Sequence, residues 1–381
     1  MQALNKNLDL KSKMVFVRVD FNVPLNEHKE ITSKKRIDAT LPQIDYLREK
    51  GAKIVLCSHL GRPNGTFNKD LSLKPVYEYL QTIYDSDILF SNEIVGSNIE
   101  EMKSNLQNSQ ILLLENVRFE KGEEECEKSF ALELAMQIDI FIDEAFAVSH
   151  RKSASNFLMS EIIENSFYGF NHLKERQNLT LKYKEKPILA ILGGAKVADK
   201  IKLIFSLLDK VDDIFIGGAM AFTFLKSQGI TVGQSLVEDD LIDLAKEILI
   251  KAKNQNVKIH LPLDVVVAKS IDDVKNAKNV DINEIPHDLM GLDIGQQSIK
   301  QIQELISNSK TIFWNGPLGV ASVKEFSYGT IELVKMLSQS KAFTIVGGGD
   351  SVEVVERLNL QNQISFVSTG GGASLKYIQK D

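Results

Sequence analysis

The feature that most limits what this chain can fold into is a series of short, unbroken apolar runs separated by longer amphipathic stretches. Residues 14–19, 53–57, 111–114 and 138–142 form the first set, and residues 188–192, 213–216, 311–314 and 343–346 the second. The runs are mostly continuous rather than alternating. Strands of that kind are covered on both faces, as in the parallel sheets of α/β proteins. Between them, residues 38–50 carry Leu41, Ile44, Tyr46 and Leu47 at roughly helical spacing, and residues 241–253 do the same with Leu244, Ala245, Ile248 and Leu249. The polar, charge-rich segment 169–186 precedes Pro187 and a new strand, and reads as a helix between two halves. With 381 residues the chain has room for two or three domains.

Composition removes several classes of function. No apolar run is long enough to cross a bilayer, and Met1 to Asn7 lacks the apolar core of a secretory leader, so a cytoplasmic protein is expected. Cys57 and Cys126 are too few for a disulfide framework and are expected as thiols. A net charge of −6 argues against general attraction to nucleic acid or to an acidic membrane.

Parallel α/β sheets bind ligands beyond the carboxyl ends of their strands, so the residues after each apolar run are the ones to inspect. In the first half these are Asp20, Phe21 and Asn22; then His59, Leu60, Gly61 and Arg62; then Arg118; and finally Arg151, with Arg36 opening the helix after the first loop. Guanidinium forks match phosphate and carboxylate oxygens. Any one of these arginines is more simply a surface residue paired with a nearby carboxylate. Several at the ends of one set of strands point instead to a pocket for a small, multiply negative ligand.

In the second half glycine takes the place of arginine. Strands lead into Gly193-Gly194-Ala195-Lys196-Val197-Ala198-Asp199-Lys200, Gly217-Gly218, Asn315-Gly316-Pro317-Leu318-Gly319-Val320, Gly347-Gly348-Gly349-Asp350-Ser351 and Gly370-Gly371-Gly372. Glycine at a strand-to-helix turn lets backbone N–H groups approach an anion, and the helix N-terminus adds a favourable dipole. The repeated pattern points to a phosphorylated ligand, most simply a nucleotide. Lys196 and Lys200 lie one helical turn apart, and Asp350 is a candidate ligand for Mg²⁺. The motifs of P-loop enzymes, dinucleotide dehydrogenases and protein kinases are absent.

These segments, in this order, resemble phosphoglycerate kinase. The carriers are Arg18-Val19-Asp20-Phe21-Asn22-Val23-Pro24-Leu25, Ser58-His59-Leu60-Gly61-Arg62-Pro63, Leu114-Glu115-Asn116-Val117-Arg118-Phe119, and the glycine-rich turns of the second half with Ser368-Thr369 before the last. The resemblance runs from about residue 14 to residue 376. It implies two doubly wound, parallel-sheet, Rossmann-like domains joined by a helix and a hinge, the hinge near residues 165–185 and 368–372. Residues 1–167 would hold the triose and residues 168–368 the Mg-nucleotide, with the tail 369–381 packing back on the first domain.

The resemblance further implies reversible phosphoryl transfer between 1,3-bisphosphoglycerate with ADP and 3-phosphoglycerate with ATP. Asp20, Phe21, Asn22, Arg36, His59, Leu60, Gly61, Arg62, Arg118 and Arg151 resemble the triose set. Gly193, Lys196, Lys200, Gly217, Gly218, Gly291, Asn315, Gly319, Val320, Ser322, Gly348, Gly349, Asp350 and Ser351 resemble the nucleotide set. Arg36, Lys196 and Gly370, Gly371 and Gly372 resemble the groups that stabilise the phosphoryl group in flight. A monomer is expected on the same ground.

The sequence departs from the family pattern in places. Ser322 stands where Glu is usual, Ala219 where Gly is usual, and Gln296 where Pro is usual. Asp143-Glu144-Ala145-Phe146-Ala147-Val148-Ser149-His150-Arg151 replaces a commoner Asn-Asp-Ala-Phe-Gly-Thr-Ala-His-Arg. Two other readings stay open: a relative that binds its ligands with little turnover, and a kinase for another small phosphorylated carboxylate.

Overall fold

The structure is a computed structural model and describes residues 1–4 and 8–380. Asn5 to Asn7, part of the stretch read above as leaderless, lie outside the described residues, as does Asp381. Two compact units are present, Met1–Gln177 and Asn178–Asp381.

The first unit holds β1 (Gln2–Ala3), β2 (Met14–Arg18), β3 (Lys53–Cys57), β4 (Ile88–Phe90), β5 (Ile111–Leu113), β6 (Ile140–Asp143) and β7 (Ser166–Tyr168). They form one sheet of order β1-β7-β6-β2-β3-β5-β4, with every pairing parallel. The unbroken apolar runs are explained by the two layers they serve. Val15, Val17, Ile54, Leu56, Ile111 and Leu113 point into one core, while Phe16, Val55, Cys57 and Leu112 point into the other. Alternate side chains of a strand face opposite ways, so a sheet buried on both sides needs apolar residues at every position. Burial also pushes the Cys57 thiol up to about 12, and both cysteines are free.

The second unit holds β8 (Ile188–Leu192), β9 (Asp213–Ile216), β10 (Lys258–His260), β11 (Asp264–Ala268), β12 (Lys278–Asp281), β13 (Met290–Ile294), β14 (Thr311–Asn315), β15 (Phe343–Gly347) and β16 (Phe366–Val367). Six of them make a parallel sheet of order β10-β9-β8-β14-β15-β16. The others form an antiparallel sheet, β12-β11-β13, with its own small apolar cluster around Phe222, Val265 and Val267. The apolar runs read from the sequence did not include that sheet; β11 carries one, Val265 to Ala268, but its partner β12 is polar and half exposed.

In each main sheet the strand order turns back on itself, between β2 and β6 in the first and between β8 and β14 in the second. Loops on either side of such a reversal diverge and leave a crevice at the carboxyl ends of the strands.

The expected helix over residues 38–50 is split. A short turn, Lys35–Asp38, precedes the helix Leu41–Glu49, whose start carries Pro42 where no backbone donor is required. The helix expected over 169–186 is shorter, Phe170–Leu179, and the boundary between the units falls within it. Helix Gly372–Lys380 packs on helix Ile201–Leu207 inside the second unit. Ile378 is fully buried there, its carbonyl accepts from Lys210 Nζ at 2.5 Å, and Tyr377 Oη lies 2.9 Å from Thr180 Oγ1. Among the described residues no helix is long and apolar enough to cross a membrane.

At the end of β6 the chain buries two adjacent carboxylates with different fates. Burial alone would raise Asp143, but His172, at 3.3 Å, pulls it below the ordinary range. Both Glu144 carboxylate oxygens accept from the single Asn171 N–H, at 2.9 and 3.1 Å, and burial pushes it up to about 8. The folded state therefore keeps a proton that the unfolded chain releases near 4.5, and this contribution to stability is lost as pH rises towards 8. Glu144→Gln keeps the acceptor and removes the titration. Its urea midpoint should exceed that of the parent at neutral pH, and the parent's decline between about pH 5 and about pH 8 should flatten.

Candidate active site

The first crevice lies where β2, β3, β5 and β6 end. Asp20 and Asn22 follow β2; the Asp20 carboxylate accepts from Arg36 Nη1 at 2.9 Å and from the Asn22 N–H at 3.2 Å. Asn22 Oδ1 in turn accepts from the Gly61 N–H at 2.9 Å, which ties the loop after β2 to the loop after β3. Phe21 and Leu60 enter through their backbones alone, because both side chains lie in the core. Gly61 has φ +64°, a conformation that glycine adopts freely. A side chain there would also collide with Leu71.

Asn116 fixes the third loop. Its amide donates to the carbonyls of Leu60 at 2.7 Å and Leu71 at 2.8 Å, and its Oδ1 accepts from the N–H groups of Leu60 and Arg118. Arg118 thereby stands with Nη1 on Gly61 O at 2.8 Å and Nε 3.3 Å from Glu124. Arg151 is exposed after β6 and shares a 150 Å³ cavity with Arg118 and the buried Arg18. His59 is almost fully enclosed. Burial, then Arg18, Arg118, Arg36 and Arg151, hold it well below its ordinary pKa, so it is neutral at physiological pH. Arg36, Arg118 and Arg151 thus gather around His59, whereas Arg62 is exposed on the loop after β3.

The second crevice is built mainly from backbone. The Gly193 N–H donates to Asn315 O at 3.0 Å, that of Gly194 to Pro317 O at 2.8 Å, and that of Gly218 to Leu318 O at 3.1 Å. Three turns interlock here at a spacing that excludes side chains. A Cβ on Gly218, whose φ is +65°, would lie 2.5 Å from Gly194 N. Two adjoining cavities open at this point. One, of about 470 Å³, has Lys196, Lys200, Asn315, Gly348, Gly349 and Asp350 in its lining, together with Ser351, Gly371 and Gly372. The N-termini of helices Gly349–Arg357 and Gly372–Lys380 therefore both meet this space. The other, of about 430 Å³, is mostly apolar and includes Gly218, Phe222, Gly291, Gly319 and Val320.

Lys200 reaches Asn315 through both its backbone carbonyl, at 3.0 Å, and its side-chain Oδ1. Partial burial lowers its pKa to about 8, against the raising effect of Asp350 and Asp199. Lys196 and Asp350 are exposed at the cavity, free to meet solvent or ligand.

Some expected residues take other roles. Gly193 and Gly217 are buried in the interlock, against Pro317 O and Leu318 respectively, and line neither cavity. The N–H of Gly370 is taken by Ser368 Oγ at 3.2 Å, which leaves Gly371 and Gly372 at the cavity. Ser322 is exposed and outside both cavities.

Other residues were missed. Glu238 accepts from the N–H groups of Val197 and Ala198, pinning the loop that carries Lys196. Asp293 is buried beneath the loops after β13 and β14, accepts from Gly329 N at 2.8 Å, and is pushed up to about 7 by burial. Glu123 and Ser155 sit behind His59 with Arg18. Of these, Arg18 alone left a mark in the sequence, as an arginine inside an otherwise apolar strand.

The chain matches known proteins along nearly its whole length. A family profile described as Phosphoglycerate kinase covers residues 5–381. The phosphoglycerate kinase of Finegoldia magna is 46% identical over 378 residues, covering 98% of this chain and 95% of that one, and that of Campylobacter lari is 42% identical over 379 residues, covering 98% and 94%. Among solved structures, the phosphoglycerate kinase of Coxiella burnetii superposes with a TM-score of 0.89 at 37% identity, covering 98% of this chain and 95% of that one. That of Pyrococcus horikoshii gives 0.81 at 30%, covering 100% and 96%. Two parallel-sheet units, arginines at one crevice, glycine turns at the other, and relatives matched end to end agree: this chain belongs to the phosphoglycerate kinase family.

Proposed function

We propose that this chain transfers a phosphoryl group reversibly between 1,3-bisphosphoglycerate with ADP and 3-phosphoglycerate with ATP, as a glycolytic kinase acting on a carboxyl group. The observation that supports it most is the kind of group that surrounds each crevice. Both offer cations and N–H donors, and neither needs an activated nucleophile. An acceptor carboxylate is already ionised at neutral pH, so no general base is required. Phosphoryl transfer depends chiefly on positioning and on stabilising charge.

In this reading Arg36, His59, Arg62, Arg118 and Arg151 hold the triose, with Asp20 and Asn22 at its hydroxyl. The apolar 430 Å³ cavity takes the base, and the glycine-rich 470 Å³ cavity takes the phosphates. Asp350 would hold the Mg²⁺ of the nucleotide, which neutralises charge on the phosphate oxygens; one carboxylate is enough for an ion that keeps several waters. Lys196 and Arg36 bear on the group in flight, together with the N–H donors of Gly371 and Gly372. With a ligand set on each unit, transfer calls for a closing step, for which residues 165–185 and 368–372 are the proposed hinge. A cytoplasmic monomer completes the proposal. Ser322, which lines neither cavity, has no part in this reading of nucleotide binding.

A coupled assay of ADP formation from 3-phosphoglycerate and MgATP tests this reading. The parent should turn over, and Lys196→Ala and Arg36→Ala should each lower kcat by about 10²-fold or more, the scale of losing one charge-stabilising donor. Ligand binding without turnover in the parent would favour a binding protein instead. The lowered pKa of Lys200 supplies a second test. Its charge is lost above about 8, so kcat/KM for MgATP should fall as pH rises through that value. Lys200→Arg, which stays charged, should abolish the fall.

A further inference from the structure

Taking the first crevice as the triose site, we propose that Arg18 is a positioning residue for His59. It confines the imidazole to the tautomer with its proton on Nε2, so that the ring serves the ligand as a neutral hydrogen-bond donor.

The geometry leaves little freedom. Arg18 is the last residue of β2 and is 1% exposed. Its Nε donates to Ser155 Oγ at 2.7 Å, its Nη1 to Val19 O at 2.5 Å, and its Nη2 lies 3.3 Å from His59 Nδ1. A guanidinium has donors and no acceptor. The hydrogen bond between Arg18 and His59 can therefore form only if Nδ1 presents its lone pair, which leaves the ring proton on Nε2.

The guanidinium is itself held. Ser155 Oγ accepts from Arg18 and so turns its own proton to Glu123 Oε1, at 2.7 Å, while the Ser155 N–H donates to Glu123 Oε2 at 2.8 Å. Glu123 is also 3.9 Å from Arg18 Nη2 and is as deeply buried. The segment Ala154–Leu158 that carries Ser155 is one wide turn of π-helix, a local geometry that is often found at functional sites. Its start is fixed by a reciprocal cap between Ser153 and Asn156. Arg18 thus donates in two directions, to Ser155 of the π-turn and to the histidine.

The groups facing His59 from neighbouring elements act in the same direction. Arg18 approaches from β2, Arg36 from the turn Lys35–Asp38, Arg118 from the loop after β5 and Arg151 from the loop after β6. All disfavour imidazolium. A neutral ring is what this site requires if a proton donor is wanted without adding another charge to a cluster of arginines.

The tautomer is read directly from long-range ¹H–¹⁵N spectra of protein labelled at histidine, with the His59 signals assigned through His59→Gln. In the parent, Nε2 should carry the proton and Nδ1 should be bare, with less imidazolium than an ordinary histidine shows at the same pH. Arg18→Met removes the donor to Nδ1. Because it also strands Glu123, Arg18→Met/Glu123→Gln and the milder Ser155→Ala accompany it. Each should mix the tautomers or shift the titration of His59 towards its ordinary value. Each should also raise KM for 3-phosphoglycerate, by about tenfold where the donor is lost, the worth of one hydrogen bond to a charged group. kcat should change less, and KM should acquire a pH dependence between about 6 and about 7.5. Arg18→Lys, which keeps one donor, should recover part of the loss. A proton on Nδ1 in the parent, or a folded Arg18 variant with unaltered tautomer and KM, would overturn the proposal. The spectra do not depend on turnover, so an inactive parent would count against the kinase reading without deciding the tautomer.

Discussion

Asn315 is the residue on which the second crevice turns. It ends β14, at the reversal of strand order, and works in three directions at once. Its carbonyl accepts from the Gly193 N–H and from Lys200, its Oδ1 accepts from Lys200 again, and its amide donates to Gly347 O at 2.7 Å. One residue thus joins the ends of β8, β14 and β15 and places the partly buried ammonium of Lys200 between them. A shorter residue would leave Lys200 underpaired in a partly desolvated position, where an unsatisfied charge is costly. An apolar residue of the same size would free the Gly347 carbonyl as well.

The first crevice uses the same device. Asn116, completely buried, holds the loops after β3 and β5 together by four hydrogen bonds to backbone groups. Asparagine suits both places because its amide offers donors and acceptors on one short, stiff side chain. The parallel sheets supply the rest. Each strand delivers its following loop to the same edge, so residues that are far apart in sequence arrive together without long connections.

Much of this was legible in the sequence because it depends on period and punctuation. Continuous apolar runs mark doubly covered strands, and glycine marks close approach of backbone; Asp20, His59 and Arg118 were singled out by looking just after those runs. What escaped depends on partners that sequence order does not bring together. Glu238 and the loop at Val197 are 41 residues apart, and Ser155 and Arg18 are 137 apart. Nothing local distinguishes Glu238 from a solvated surface glutamate. Glycine presents the opposite difficulty, because one signature serves two uses. Gly193 and Gly217 carry the same signature as Gly348, yet they serve packing between turns rather than a cavity.

The loop pinned by Glu238 has a consequence for how a ligand would be received. A glycine-rich segment left alone explores many conformations, and capturing an anion would have to freeze them at the moment of encounter. Here a carboxylate from the same unit already gathers two of the N–H groups, and the rest of the cavity, from Gly194 to Leu375, is also supplied by that unit. The ordering is done when the unit folds. Recognition of the second ligand is in this sense a local trait, separable from the chemical step, and sequence changes elsewhere can alter the rate of reaction while leaving this capture intact.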